Sequence, residues 1–120
     1  MHIPVYEVRA IYEEYYDEEA CSYTGIYKDN ITGVTNEVPG SPLFNNNFTD
    51  KAIELGSTKN MFFGHDHINN SSISYNGIKL NYTLKLGKGC YYEEGLQGGT
   101  VININSNGNC TFEHVYCVLP

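Results

Sequence analysis

Residues 60–67 of the chain read Asn60-Met61-Phe62-Phe63-Gly64-His65-Asp66-His67. The four residues before the glycine form a short apolar run, which predicts a buried β-strand over residues 60–63. Gly64 permits a sharp change of direction, so the two histidines follow at the end of that strand. Neutral imidazoles suit zinc, iron and similar ions, and we expect His65 and His67 to turn toward one pocket. A His-x-His pair alone is also consistent with chance or with a hydrogen-bonding role.

The rest of the chain predicts an α+β fold with mostly antiparallel strands and two short helices. The acidic run over Glu13–Glu19 has helical character, and Thr49-Asp50 can cap a second helix that ends at Gly56. The segment between them, Cys21–Asn47, is rich in Gly, Asn, Thr and Pro and predicts a long irregular connection. Further strands are predicted at residues 72–75, 78–86, 100–105 and 111–118, with Asn76-Gly77 and Asn107-Gly108 as hairpin turns.

Composition limits the classes of partner. The chain has 120 residues, enough for one modest unit, and its 14 acidic and 7 basic residues give a net charge of -7. We therefore expect no nucleic-acid binding through a basic patch, and no apolar run is long enough to predict a membrane segment.

Cysteine and asparagine usage leaves the compartment open. The cysteines at 21, 90, 110 and 117 lack the two-residue spacing of zinc ribbons and thioredoxin-like sites, so disulfides and free thiols remain equal alternatives. Six Asn-x-Ser/Thr acceptors, at 30, 47, 69, 70, 81 and 109, give a weak indication of a secreted or extracytoplasmic protein. The localisation stays unknown on this basis.

The histidine stretch, read from Phe62 to Asn69, closely resembles the final Gly-His-x-His motif of the calcineurin-like metallophosphoesterases. The resemblance is closest to the branch related to purple acid phosphatases, in which Gly-His-Asp-His and Asn precede a Gly-Ile-x-Leu strand. In this chain that strand is Gly77-Ile78-Lys79-Leu80. His2-Ile3-Pro4 resembles the family's penultimate metal motif, and the order of elements is similar over nearly the whole chain.

The resemblance implies a phosphoesterase that hydrolyses phosphate mono- or diesters at a dinuclear metal centre. It implies that His2 and His65 would ligate one metal ion and His67 the other, the two ions being divalent or trivalent Fe, Zn or Mn. Asp66 would orient the motif or stay outside the metal's coordination shell. His114 matches no family ligand and is interpreted as a structural histidine.

The sequence also departs from the family pattern. It lacks the Asp-x-His, Gly-Asp-x-x-Asp and Gly-Asn-His motifs that the resemblance requires for the remaining ligands. We therefore expect residues 1–120 to be a partial domain, the C-terminal half of an α/β/β/α sandwich, inactive alone and able to self-associate through open sheet edges. Asn70 stands where the branch usually has Asp. Lys88, Tyr91 and Tyr92 are candidates for lining a phosphate pocket, with packing as the alternative.

Two other classes remain open at this level. One is a stand-alone, β-rich, secreted binding protein with a vestigial or mononuclear metal site. The other is a regulatory or pseudoenzyme partner that completes its sheet with a second chain by strand addition.

Overall fold

The computed structural model describes residues 1–118 and Pro120, and it confirms an α+β fold with two short helices. The helices are α1 (Tyr6–Tyr15) and α2 (Phe48–Leu55). The strands are β1 (Tyr16–Asp17), β2 (Ser22–Tyr23), β3 (Ile31–Thr32), β4 (Asn60–Phe63), β5 (Ser72–Tyr75), β6 (Ile78–Tyr82), β7 (Gly98–Ile104) and β8 (Cys110–Tyr116). Strands β1–β2, β3–β5, β5–β6 and β7–β8 pair antiparallel, as predicted for most of the chain.

The central sheet has four strands in the order β3-β5-β6-β4. Asn76 and Gly77 form the predicted hairpin turn, with φ of 45° and 82°, as a two-residue turn between antiparallel strands requires. Strand β4 lies parallel to β6, with Met61 opposite Leu80. Because parallel strands end at the same edge of a sheet, the chain that follows β4 meets the chain that follows β6. This edge carries the histidines.

Helix α1 and the central sheet share one hydrophobic core. Each residue of this core has at most 9% of its surface exposed. The residues are Val5, Val8, Ile11, Tyr23, Tyr27, Ala52, Met61, Phe63, Ile73, Ile78, Leu80 and Tyr82. The core therefore includes the alternate residues Met61 and Phe63 of β4, and it fixes the point at which that strand delivers the chain to Gly64.

The acidic run is not one helix, contrary to the sequence prediction. Helix α1 begins earlier, at Tyr6, and ends at Tyr15, after which residues 16–17 pair with β2. The Oδ1 atom of Asp17 accepts hydrogen bonds from the backbone N–H groups of Glu19 and Ala20, both at 3.0 Å. A side chain that satisfies local backbone donors in this way favours a turn over a further helical turn.

Helix α2 begins one residue before the predicted cap. Thr49 lies inside the helix and is buried, and its hydroxyl donates to the buried carboxylate of Glu7 at 2.6 Å. The predicted end is confirmed, because Gly56 takes the left-handed conformation and its N–H donates to two helix carbonyls. The hydrogen bond between Thr49 and Glu7 ties α2 to α1.

The β7–β8 hairpin leaves much of its apolar surface in solvent, including Val101, Ile104 and Val115. Its strands pair along their full length, and no third strand lies beside them in the described part of the chain. Self-association through open edges and the half-sandwich architecture both stay predictions. Within the described part of the chain, every helix is too short or too polar to span a bilayer.

All four cysteines are free thiols in this structure. Three of the six glycan acceptor asparagines, Asn69, Asn70 and Asn81, are at most 8% exposed, so the folded chain has no room for a glycan there. Asn30, Asn47 and Asn109 are exposed.

Candidate metal centre

The three predicted ligands line one pocket at the edge where β4 and β6 end. The pocket holds about 240 Å³ and is lined by His2, Gly64, His65, Asp66, His67, Thr83, Leu84 and Lys85. The backbone N–H of Gly64 donates to the carbonyl of His2 at 3.0 Å, which brings the first residues of the chain to the end of β4. The backbone N–H of Thr83 donates to the carbonyl of Phe63 at 2.8 Å and closes the other side.

His2 and His65 form a close pair. The Nε2 atom of His2 lies 3.3 Å from the Nδ1 atom of His65, and the two rings are perpendicular with centroids 5.1 Å apart. A tetrahedral zinc ion bound at about 2.0–2.1 Å holds two ligand nitrogens about 3.3 Å apart. Both side chains are exposed enough for an ion to reach them. The separation of the two nitrogens therefore equals that of two ligands on one tetrahedral ion, and it also permits a direct hydrogen bond between the rings.

His65 occupies a strained backbone conformation. Its φ is 72°, and the N–H of Asp66 donates to the carbonyl of Gly64 at 2.9 Å across it. This combination is a γ-turn of the positive-φ kind, which is rare and strained for a residue with a Cβ atom. Such conformations cost about 1–3 kcal/mol and persist where the surrounding structure imposes them.

The buried side chain of Asp66 holds this turn in place through its hydrogen bonds. Asp66 is 6% exposed, and its carboxylate accepts hydrogen bonds from the Gly40 N–H, at 3.0 and 3.1 Å, and from the Tyr82 hydroxyl. Burial, followed by the hydrogen bond to Asp66, raises the pKa of Tyr82 far above its ordinary value, so the hydroxyl stays a donor. A Cβ atom on Gly40 would lie 2.4 Å from Cδ2 of His65, so only glycine lets the chain pass this closely. Asp66 thus orients the histidine turn.

His67 is held by its ring and by its backbone. Its Nδ1 atom lies 2.9 Å from the carbonyl oxygen of Tyr91, and the two rings stack with centroids 4.3 Å apart. The carboxylate of Glu37 accepts hydrogen bonds from the N–H groups of His67 and Ile68 and from the Tyr91 hydroxyl. The hydrogen bond to Glu37 and partial burial raise the pKa of Tyr91 to about 12.

The three histidines do not close into a complete cage. Throughout residues 1–118 and Pro120, no group of three or more His, Cys, Asp or Glu side chains converges closely enough to hold a metal ion. The donor set is therefore a nitrogen pair, His2 with His65, and a third imidazole on the same pocket. A tightly held ion would need further ligands beyond this pair.

The other sequence candidates lie apart from this pocket. The Nδ1 atom of His114 shares a hydrogen bond of 2.9 Å with Thr100 Oγ1, in keeping with a structural role. Lys88 and Tyr92 line a different pocket of about 250 Å³, and the Lys88 ammonium donates to the carbonyl of Pro120. Of the three phosphate-pocket candidates, only Tyr91 contacts a histidine of the motif, through packing and its backbone carbonyl.

Sequence reasoning missed Glu37 and Gly40, which lie in the irregular connection. The buried amides of Asn69 and Asn70 hold this segment against the histidine motif. Asn69 Oδ1 accepts from the Glu37 N–H at 3.0 Å, and Asn70 Oδ1 accepts from the Val34 N–H at 2.7 Å. The available signal was the pair of adjacent asparagines shortly after the motif, because asparagine side chains often form hydrogen bonds with backbone groups.

Comparison with known proteins gives a partial relationship. Probable inactive purple acid phosphatase 14 of Arabidopsis thaliana is 42% identical to this chain over 52 residues, which is 43% of this chain and 13% of that protein. No family model matches the chain, and no solved structure matches it. Part of the chain is therefore related to a purple acid phosphatase-like protein whose name marks it as probably inactive.

Proposed function

We propose that this chain supplies the histidine side of a two-metal phosphoesterase centre, with His2 and His65 as ligands of one ion and His67 as a ligand of the other. The observation that supports this most is the 3.3 Å separation between His2 Nε2 and His65 Nδ1, in the same pocket as His67. The partial similarity to a purple acid phosphatase-like protein, whose name marks it as probably inactive, supports a relationship to that family.

The chemistry divides between the ions and the chain. When bound, a pair of Fe, Zn or Mn ions supplies Lewis-acid stabilisation of a phosphate mono- or diester. The chain's own contribution is to hold neutral imidazoles in fixed directions: Asp66 and Gly40 fix the turn at His65, and Tyr91 fixes the ring of His67. Among the described residues, Asp66 is the one carboxylate that lines this pocket, and it is engaged by Gly40 and Tyr82. We therefore propose that the remaining ligands come from outside residues 1–120 and that the chain alone is inactive.

A second candidate is metal binding without hydrolysis. The name of the Arabidopsis thaliana relative describes a probable inactive member, and the His2–His65 pair could hold a single ion whose other ligands come from elsewhere. The two candidates share the same ligands and differ in whether a phosphate ester is ever turned over.

The test measures zinc, manganese and iron bound to the purified chain, together with hydrolysis of an aryl phosphate. The chain is compared with a His65→Ala, His67→Ala double variant and with His114→Ala as the matched control. We expect weak metal binding that the double variant loses and His114→Ala keeps, with no turnover by any of them. Equal metal binding by the double variant would refute the ligand assignment, and turnover lost only in that variant would refute inactivity.

A further inference from the structure

The ring of His67 is fixed in one tautomer by its neighbour. A carbonyl oxygen only accepts hydrogen bonds, so the 2.9 Å contact between His67 Nδ1 and the Tyr91 carbonyl requires the proton to sit on Nδ1. The lone pair of the neutral ring is then on Nε2. In the described part of the chain, Nε2 has no hydrogen-bond partner, and His67 lines the pocket.

The carboxylate of Glu37 holds both His67 and Tyr91. Glu37 Oε1 accepts the backbone N–H groups of His67 and Ile68, the latter at 2.8 Å, while Glu37 Oε2 accepts the Tyr91 hydroxyl. The first oxygen therefore sets where the His67 backbone lies, and the second sets where the stacked ring of Tyr91 lies. A displacement of either residue breaks the contact between Nδ1 and the carbonyl.

Glu37 is itself held in place by buried polar groups. Asn69 is 3% exposed, and its side chain accepts from the Glu37 N–H at 3.0 Å and donates to the Glu37 carbonyl at 3.1 Å. Thr35 pairs with Asn69 as an isolated β-bridge and is also buried. The carboxylate thus projects from a segment that is anchored on both sides of its own residue.

We propose that Glu37 is a positioning residue that acts through Tyr91 to hold His67 in the Nδ1–H tautomer, with Nε2 presented to the pocket. The tautomer stands on the geometry alone, whereas the metal that would use Nε2 rests on the proposed function. A hydrogen bond at one ring nitrogen fixes the tautomer and raises the basicity of the other nitrogen as a metal ligand. Removing such a partner typically lowers metal affinity about 10–100-fold.

The first experiment needs no metal. Long-range ¹H–¹⁵N correlation spectra of the imidazole rings report which nitrogen carries the proton. We expect the chain to show His67 as a single Nδ1–H form, and Glu37→Ala to show a mixture of both tautomers. Glu54→Ala, an exposed carboxylate on α2 paired with Lys51, is the matched control and should leave His67 unchanged.

Two conservative variants separate positioning from folding. Tyr91→Phe keeps the backbone carbonyl and the stacked ring but removes the hydroxyl that binds Glu37, and Glu37→Gln keeps an oxygen that can accept the two N–H groups. Both should retain the fold by circular dichroism, and each should show a smaller population of the Nδ1–H form than the unaltered chain. An unchanged His67 tautomer in folded Tyr91→Phe and Glu37→Gln would overturn the proposal, even if Glu37→Ala does not fold.

Zinc titration of the same samples distinguishes this proposal from the proposed function. If the unaltered chain binds zinc and the two conservative variants bind it about 10-fold more weakly, both proposals are supported. If the unaltered chain binds no zinc, but shows the Nδ1–H tautomer and the two variants lose part of it, the proposed function fails and the positioning role stands. Equal zinc binding and equal tautomers in all variants would overturn the positioning role alone.

Discussion

Replacing His65 with glycine should leave the chain more stable than replacing it with alanine. The residue at this position has φ of 72°, where a Cβ atom costs about 1–2 kcal/mol. Glycine avoids that cost, but its greater freedom in the unfolded chain offsets about 0.4–1 kcal/mol. The expected net advantage of His65→Gly over His65→Ala is therefore about 0.5–1 kcal/mol.

The two variants are a matched pair, because both lose the same contact between His65 Nδ1 and His2 Nε2. Any difference between them reports the backbone conformation rather than the lost ring. Urea denaturation followed by circular dichroism measures the free energy of unfolding, and thermal melts should separate the variants by about 2–5 °C. A His65→Ala variant as stable as His65→Gly, or more stable, would refute the strained turn.

Three further predictions concern the support of the site and the core. Gly40→Ala should destabilise the chain by about 1–3 kcal/mol in urea denaturation, because the new Cβ would lie 2.4 Å from a histidine ring atom, while Gly89→Ala, with open space around it, should change little. Tyr82→Phe should cost about 1.5–3 kcal/mol by removing a donor to the buried Asp66 carboxylate, and a loss below about 0.5 kcal/mol would contradict that role. Burial raises the pKa of Tyr23 from 10.0 to about 12, so folding favours the protonated phenol. Its stabilisation should be complete below pH 10 and fall by about 2 kcal/mol by pH 12, so the decline in urea denaturation at stepped pH should be smaller by that amount in Tyr23→Phe.

Local patterns predicted the elements that deliver the histidines to their pocket. The apolar run at residues 60–63 is a strand with those bounds, and Asn76-Gly77 forms the expected hairpin turn. Both depend on short-range information, namely a buried strand's hydrophobicity and the left-handed conformations of a two-residue turn. The acidic run is helical only as far as Tyr15, and beyond it the side chain of Asp17 accepts from local backbone donors, which helical character alone does not reveal.

The same local patterns could not predict the residues that hold the histidines in place. Glu37 lies 30 residues before His67 in the chain, in an irregular segment whose path is set by buried amides rather than by periodicity. Gly40 lies in the same predicted irregular connection, yet its role is to let His65 and Asp66 approach the backbone. Such contacts depend on how distant loops pack together, and a single sequence contains no local signal for them.

The most direct test of the histidine site is a zinc titration followed through the ring signals of all four histidines by NMR. We expect the signals of His2 and His65 to shift together, the signal of His67 to shift as well, and that of His114, which is bonded to Thr100 away from the pocket, to stay unchanged. Equal responses from all four rings, or a response of His114 without the pair, would contradict a metal site built on His2 and His65.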